Sequence, residues 1–317
     1  HARAAVAEST AAFGAADANT AFAWHALATL ERNEGNLSEA EAAVQHALAL
    51  TQGTVLRAAT RRQLALTAAL LEMDLGRYSA AQVAFEALTL QVAEAWETGL
   101  QLRLLGTVLL EMGRPAEALQ PLGRASQLAS ETGDGFEAGL VAALQGRALA
   151  RLGSFDAAQL SLARATQAFQ DLGEQAGPQP YLQIARFGAE LQLRRGQPEA
   201  AAAILSSVDP NALARAPALE RAHWHDLRGC VARAGGRWAV ALDEHRQAGR
   251  LLDGVFAQDH PWKRRNALYA AWAEAASVQP STALPAAQAA AARWADSFPA
   301  PSAWHAEIAR QPPPPVL

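Results

Sequence analysis

The side chains with the greatest chemical potential lie close together, about two thirds of the way along the chain. His223, His225 and Asp226 fall within four residues, and Cys230 follows four residues after Asp226. Imidazole, carboxylate and thiolate groups are metal ligands and also serve as acids, bases and nucleophiles. On a helix His223 and His225 face apart, so they do not chelate one metal, whereas Asp226 comes within reach of His223 and Cys230. We favour a polar patch lining a groove, with a buried thiol, over a metal or redox centre.

The motifs of the common catalytic centres are missing from the sequence. It contains no glycine-rich phosphate loop, serine nucleophile elbow, His-Glu-x-x-His helix or kinase signature. Cys230 is the only cysteine, which excludes an intramolecular disulfide and a cysteine-based zinc site. We therefore expect no catalytic residue, no metal and no cofactor, and we predict that the protein is not an enzyme.

Composition points to helices as the elements that position these side chains. Of the 317 residues 50% are hydrophobic, alanine is dominant among them, and aromatic residues make up 6%. Alanine is the best helix former, whereas strands are enriched in β-branched and aromatic residues. The composition predicts an all-α protein.

Charge and hydropathy limit the classes of partner. The net charge of -4 indicates no general attraction to phosphate backbones, so no nucleic-acid partner is predicted. Polar residues interrupt every apolar stretch before the roughly 20 residues that a membrane-spanning helix needs, and no membrane insertion is predicted.

A pattern of glycine, any residue, a large residue or proline, two further residues and alanine recurs six times, at intervals of 37 to 43 residues. The residue seven positions before each glycine is always small. The residue nine positions after it is large and apolar except at His245. The six glycines are Gly35, Gly76, Gly113, Gly153, Gly196 and Gly236.

This pattern predicts a helical hairpin in each repeat. Glycine adopts a left-handed conformation readily and ends the first helix. Pro115 and Pro198 suit the first position of the second helix, where no N–H is needed. Small residues allow the paired helices to cross closely, and hairpins that bury only part of their apolar surface must stack on their neighbours.

Over residues 20–255 this pattern resembles the second half of the tetratricopeptide signature. The period near 40 residues exceeds the family's 34 and is similar to the kinesin light chain type, as is the Asp259-His260-Pro261 junction followed by Asn266-Ala267-Leu268. HEAT and armadillo repeats share the longer period but lack the glycine turn. The resemblance implies a right-handed superhelical solenoid of antiparallel hairpins, with about six to seven repeats.

Three regions are predicted. Residues 20–298 form the solenoid, including a seventh pair over 262–276 and 284–297 with Pro280 in the turn. Residues 1–19 are expected to be the second helix of a preceding, truncated hairpin. Residues 299–317 are rich in proline and are interpreted as a solvated end or linker rather than a ligand of an SH3-like domain.

In tetratricopeptide arrays the first helices line the concave face, with residues 13, 10, 6 and 3 positions before the turn glycine pointing into it. Carried over by position, this rule places arginines in three consecutive repeats. They either bind carboxylates or carbonyls of an extended peptide or only solvate the surface. The predicted peptide-binding residues are Gln63, Arg103, Thr107, Arg147, Gln183, Arg186, Glu190, His223, Asp226 and Arg233.

The resemblance implies a protein-interaction scaffold that binds an extended peptide or protein loop. Similar repeats accompany bacterial Ser/Thr kinases and transcription regulators, and one lysine among 27 basic residues suits a GC-rich bacterial source. We therefore expect the sensor region of a larger bacterial signalling protein, in the cytoplasm or, in a membrane-anchored receptor kinase, in the periplasm. The alternative is an effector domain that binds a small molecule or signal peptide and switches conformation.

Overall fold

The computed structural model describes residues 2–51, 57–277, 280–298 and 305. Within these residues the regular structure consists of sixteen α-helices and one short 3-10 turn, Gly173–Ala176, with no strand. Consecutive helices pack against each other in hairpins. The prediction of an all-α solenoid of helical hairpins is confirmed. Apart from His305, the predicted proline-rich tail lies outside the described residues.

The helices, numbered in chain order, form seven hairpins preceded by one helix, α1 (Ala2–Phe13). The first helices are α2 (Ala18–Glu34), α4 (Ala58–Asp74), α6 (Ala95–Glu111), α8 (Gly135–Arg151), α10 (Gln179–Arg194), α13 (Ala218–Ala234) and α15 (Pro261–Ser277). The second helices are α3 (Leu37–Thr51), α5 (Tyr78–Thr89), α7 (Pro115–Thr132), α9 (Phe155–Leu172), α11 (Pro198–Ser206), α14 (Trp238–Asp253) and α16 (Pro280–Ala295). The short helix α12 (Pro210–Arg215) was not predicted.

The six turn glycines end the first helices as predicted. All six have positive φ, between 71° and 84°. In each turn the N–H of the residue after glycine donates to the carbonyl five residues earlier, as in Arg114 N to Leu109 O at 2.8 Å. This bond satisfies a carbonyl that the helix end leaves open, and only glycine reaches the required conformation without strain.

The small residues lie at the helix crossings, as the pattern predicted. The alanine five positions after each turn glycine is fully buried in all six repeats. A Cβ added to Gly106 would lie 2.6 Å from Leu122, and one added to Gly146 would lie 2.8 Å from Leu162. The small residue of the first helix thus faces the large residue of the second helix, and together they fix the distance between the two helices.

The chain divides into two compact units, His1–Val92 and Ala93–Leu317. In the N-terminal unit Val6 of α1 joins the core formed by residues of α2, α3 and α4. The C-terminal unit contains α6 to α16. That α1 belongs to a longer array of hairpins remains a prediction.

Candidate functional site

The ten predicted binding residues all lie on first helices. Gln63 is on α4 in the N-terminal unit, and the other nine are distributed over α6, α8, α10 and α13 of the C-terminal unit. These four helices pack side by side in order. The predicted positions are spaced by three, four and three residues, which keeps them on one side of each helix. In the C-terminal unit the structure therefore places the predicted residues on neighbouring helices.

Arginine–carboxylate pairs connect each first helix of the C-terminal unit to the next. We call this set the ion-pair ladder. In order, its pairs are Arg103–Glu137 at 2.6 Å, Arg147–Glu190 at 3.3 Å, Arg186–Glu220 at 3.0 Å and Arg265–Asp226 at 3.3 Å. The three arginines that the sequence pointed to are thus all engaged within the chain. The Arg32–Asp74 pair, at 2.5 Å, joins α2 to α4 of the N-terminal unit in the same way.

Glu190 is the centre of the ladder. Its carboxylate accepts from Arg147, Arg151 and Arg194 at 3.1 to 3.3 Å, and Arg147 also donates to Glu111 at 2.8 Å. Burial acts to raise the pKa of Glu190, but the surrounding arginines outweigh it and hold the pKa well below its ordinary value. Burial and the charge of Arg147 lower the pKa of Arg151 to about 10. These groups are therefore all charged at neutral pH.

A buried aromatic ring supports the guanidinium groups of the ladder. The guanidinium carbons of Arg147 and Arg186 lie 5.0 and 4.8 Å from the ring centre of Phe187, which is 1% exposed. Cations are attracted to the face of an aromatic ring, more strongly when water is excluded. Arg147 and Arg186 are themselves 5% and 7% exposed. They form the floor of the face rather than its accessible surface.

The first helices of the C-terminal unit curve around a common interior. Burial acts to raise the pKa of Glu111, whereas the charges of Arg147, Arg151 and Arg265 lower it. Glu111 is on α6 and Arg265 is on α15, four first helices further along. Groups on helices so far apart in the array therefore lie near enough to interact, which fits a concave face. We refer to it as the concave face.

The last first helix contributes four residues that the sequence analysis missed. Trp262, Arg265, Tyr269 and Trp272 of α15 repeat the spacing of three, four and three. The His223 ring of α13 lies 4.1 Å from Trp262, and the Arg265 guanidinium lies 4.9 Å from the same ring. The turn after α15 has no glycine from which these positions could be counted. The signal in the sequence was that the spacing of three, four and three residues recurs directly after His260-Pro261.

The polar group around His223 is distributed between a buried network and the accessible face. Asp226 faces His245 at 3.2 Å, Arg265 at 3.3 Å and Asn266 at 3.4 Å, and these partners overcome burial and lower the pKa of Asp226. Burial, followed by the charge of Arg186, holds the pKa of His223 well below its ordinary value. The imidazole of His223 is therefore neutral at pH 7.

The same group does not assemble a metal site. Among the described residues no three His, Cys, Asp or Glu side chains are arranged to hold a metal ion. Cys230 is buried in α13. The Nε2 atom of His223 is buried and has no hydrogen-bond partner in the described part of the chain.

One row of partly exposed side chains crosses the concave face, on which Arg103, Thr107, Glu190 and Arg233 are also partly exposed. In α6, α8, α10 and α13 the residue at the first of the four predicted positions is partly exposed, as is Trp262 at the equivalent position of α15. Arg147, Arg186 and Asp226, which lie further along their helices, are buried. We call the partly exposed residues at these first positions the outer row. Its members are Leu100, Leu140, Gln183, His223 and Trp262. In the N-terminal unit the corresponding residues, Phe22 and Gln63, are exposed.

A separate cleft of about 430 Å³ lies between α14, α15 and α16. Its lining includes Asp253, Lys263, Arg264 and Arg293 and none of the predicted binding residues. Lys263 donates within the cleft to Asp253 at 2.6 Å. Among the described residues, the structure contains no helix with the length and apolar character needed to cross a membrane.

Comparison with known proteins supports the fold. No protein-family model and no curated protein matches this chain. The structure is similar to the crystal structure of a Rap protein complexed with competence and sporulation factor, with a TM-score of 0.59 and 11% sequence identity, covering 87% of this chain and 77% of that one. The chain therefore has a tetratricopeptide-like helical repeat fold. Its membership of the kinesin light chain subgroup remains a prediction.

Proposed function

We propose that this chain is a non-catalytic scaffold that binds an extended peptide or protein loop across the concave face of its C-terminal unit. The observation that supports this function best is the outer row above an ion-paired floor. The ladder holds the five helices in register, so the outer row is ordered before a ligand arrives. Preorganisation reduces the entropy lost on binding.

The spacing of the helices suits an extended ligand. Neighbouring packed helices lie about 8–10 Å apart, and an extended chain advances about 3.3 Å per residue. Every third residue of such a ligand would meet the next first helix. Leu100 and Leu140 offer apolar contacts at one end, and the amide of Gln183 can bond a ligand backbone in the middle. His223 and Trp262 form an aromatic surface at the other end.

In this proposal the arginines do not primarily bind carboxylates of the ligand. A carboxylate that reached Arg103 or Arg186 would have to displace Glu137 or Glu220. Their first role is to hold the helices of the concave face in place. Arg103 keeps 18% of its side chain exposed and can make additional contacts to a ligand at the edge of the face.

The fold comparison is compatible with such a role, since the Rap protein of similar fold was crystallised with competence and sporulation factor bound. A bacterial source and a place in a larger signalling protein, with a kinase or a transcription regulator, remain predictions from the repeat type. That the partner is a protein or peptide, rather than a nucleic acid, also remains a prediction.

A random peptide library tests the proposal. The full chain is used to select 12-residue peptides, and the affinities of the selected peptides are measured by calorimetry. We expect Leu140→Glu to weaken binding at least tenfold, because it places a charge in the outer row. Leu160→Glu is the matched control, since Leu160 is 54% exposed on the second helix α9. Thermal melting of both variants verifies folding. Failure to enrich peptides, or equal affinity for both folded variants, would count against the proposal.

A further inference from the structure

At three successive positions in the C-terminal unit, the edge where a second helix leads to the next first helix is strongly acidic. Three stretches make this edge in consecutive repeats, residues 93–99, 125–139 and 165–182. They contain seven Asp and Glu residues and no Lys, Arg or His. The whole chain has a net charge of -4, so this edge alone is more negative than the molecule. We call it the acidic edge.

Large aromatic side chains are exposed along the same edge. Trp96, Phe136 and Tyr181 lie within the first residues of α6, α8 and α10, and they are 58%, 40% and 37% exposed. Tryptophan is usually well buried in a folded protein. Exposed aromatic residues that recur in three neighbouring repeats mark an interaction surface rather than scattered apolar positions.

Packing holds two of these three aromatic rings in place. The rings of Phe136 and Tyr181 both pack edge-on against Phe169, with centres 5.5 and 6.2 Å away. Phe169 is fully buried, and its ring lies where a Cβ on Gly139 would be, 2.6 Å away. Trp96 is the second residue of its helix, as Phe136 is, so the two lie on adjacent helices about 8–10 Å apart. Phe136 and Tyr181 are therefore held by one buried ring, and Trp96 occupies the equivalent place on the neighbouring helix.

Most carboxylates of the acidic edge are exposed and lack a cationic partner among the described residues, although Glu131, Asp134 and Asp171 each accept one hydrogen bond from a neutral group of the chain. Five exposed ones form no ion pair with the part of the chain that the structure describes: Glu94, Glu131, Asp134, Asp171 and Glu174. Glu137, in contrast, is paired with Arg103. Unpaired carboxylates of one sign create a negative potential next to the aromatic rings.

We infer that the acidic edge docks a basic segment of a partner protein, in which arginine or lysine alternates with apolar residues. The cations would stack on the aromatic rings and pair with the carboxylates, while the apolar side chains cover the rest of the rings. Complementary charge selects such a segment and repels anionic surfaces. This surface adjoins the outer row, because Trp96 and Phe136 lie one helical turn before Leu100 and Leu140. The inference uses different side chains and does not depend on the proposed concave site.

The chain itself shows the contact in question. Arg195 lies over the ring of Phe155 at 5.7 Å while it donates to Asp156 at 2.9 Å. One guanidinium thus engages an aromatic ring and a neighbouring carboxylate on a surface helix. The acidic edge offers the same combination of groups, with the cation still to be supplied.

The experiment measures binding of a fluorescent 12-residue peptide of alternating Arg and Leu to the full chain, with an alternating Glu and Leu peptide for comparison. We expect binding of the basic peptide alone and quenching of tryptophan fluorescence that decreases with salt. Replacing Glu94, Glu131 and Glu174 by Gln should weaken binding at least tenfold. Trp96→Ala should also weaken it, whereas Trp96→Phe should restore most of the affinity.

A second triple variant controls for net charge. Glu8, Glu39 and Glu199 are exposed residues outside the three stretches of the acidic edge, and their replacement by Gln removes the same charge. Equal weakening by both triple variants would overturn the inference, because the attraction would then be general. Absence of binding would also overturn it. Self-association of the chain that the edge variants abolish, without an effect on the peptide, would assign the edge to contacts between copies instead.

Discussion

His245 shows how one residue serves both packing and charge. It occupies the position where the other repeats have a large apolar residue, and it is fully buried against Gly229, where an added Cβ would lie 2.6 Å from the ring. Its Nδ1 lies 3.2 Å from the carboxylate of Asp226. A leucine would fill the space equally but would leave this buried carboxylate with fewer partners, which is costly. The exception in the repeat pattern therefore supports the Asp226 carboxylate of the ladder.

At the helix crossings the packing permits a direct test with two glycines. Gly106→Ala should lower the free energy of unfolding by about 1–3 kcal/mol, because the new methyl group would meet Leu122 at 2.6 Å. Gly123→Ala on α7 is the matched control, since nothing lies within 4 Å of its Cβ. That change should stabilise the helix by up to about 1 kcal/mol. Urea denaturation measures both, and equal effects would contradict the crossing geometry.

At the scale of elements, the ladder substitutes for apolar packing between first helices. These helices contact each other less extensively than the helices of one hairpin do. Buried ion pairs stabilise only when desolvation is compensated by good geometry and further hydrogen bonds. Glu190, with three arginine partners, meets that condition. We infer that the ladder sets the register between repeats.

The Arg186–Glu220 pair tests this role. Either Arg186→Glu or Glu220→Arg alone should lower the free energy of unfolding by about 3–5 kcal/mol, because each leaves like charges buried together. The double exchange should recover a large part of the loss. Urea denaturation of the four proteins provides a double-mutant cycle. A double variant as unstable as the sum of the single variants would show that the two side chains do not interact.

At the scale of the whole molecule, the C-terminal unit holds neutral imidazoles in different hairpins, with His260 buried and His223 partly exposed. Burial lowers the pKa of His260 to about 4, and the pKa of His223 is shifted in the same direction. Between pH 6.5 and 4 the unfolded chain therefore binds more protons than the folded chain. Stability is fully present above the unfolded pKa and is lost as pH falls toward the folded pKa.

We expect the free energy of unfolding to fall between pH 7 and pH 5, with about 2 kcal/mol of the loss due to His260. His260→Asn should remove that part, since asparagine can still accept the Trp262 N–H that His260 Nδ1 accepts at 3.1 Å. Urea denaturation at several pH values measures the slopes, and identical slopes for wild type and His260→Asn would refute the assignment.

The sequence alone determined the hairpins, because each of their signals is local. A glycine such as Gly113 ends one helix, Pro115 starts the next, and the buried Ala118 marks the crossing, all within six residues. The helix α12 was missed, although Asp209 caps it and Pro210 begins it. Its six residues are too few to show an apolar periodicity.

Only the tertiary structure decided what the concave side chains do. The sequence places Arg103 and Arg186 on the correct helices, but Glu137 and Glu220, 34 residues further on, become their partners through the offset and rotation between repeats. The same offset brings Arg265 close to Glu111 across the interior. Local propensities do not encode that offset, because it results from packing summed over many contacts between distant residues. The repeat pattern thus specified the unit of construction, and the stacking of the units decided which charges are paired and which side chains remain accessible.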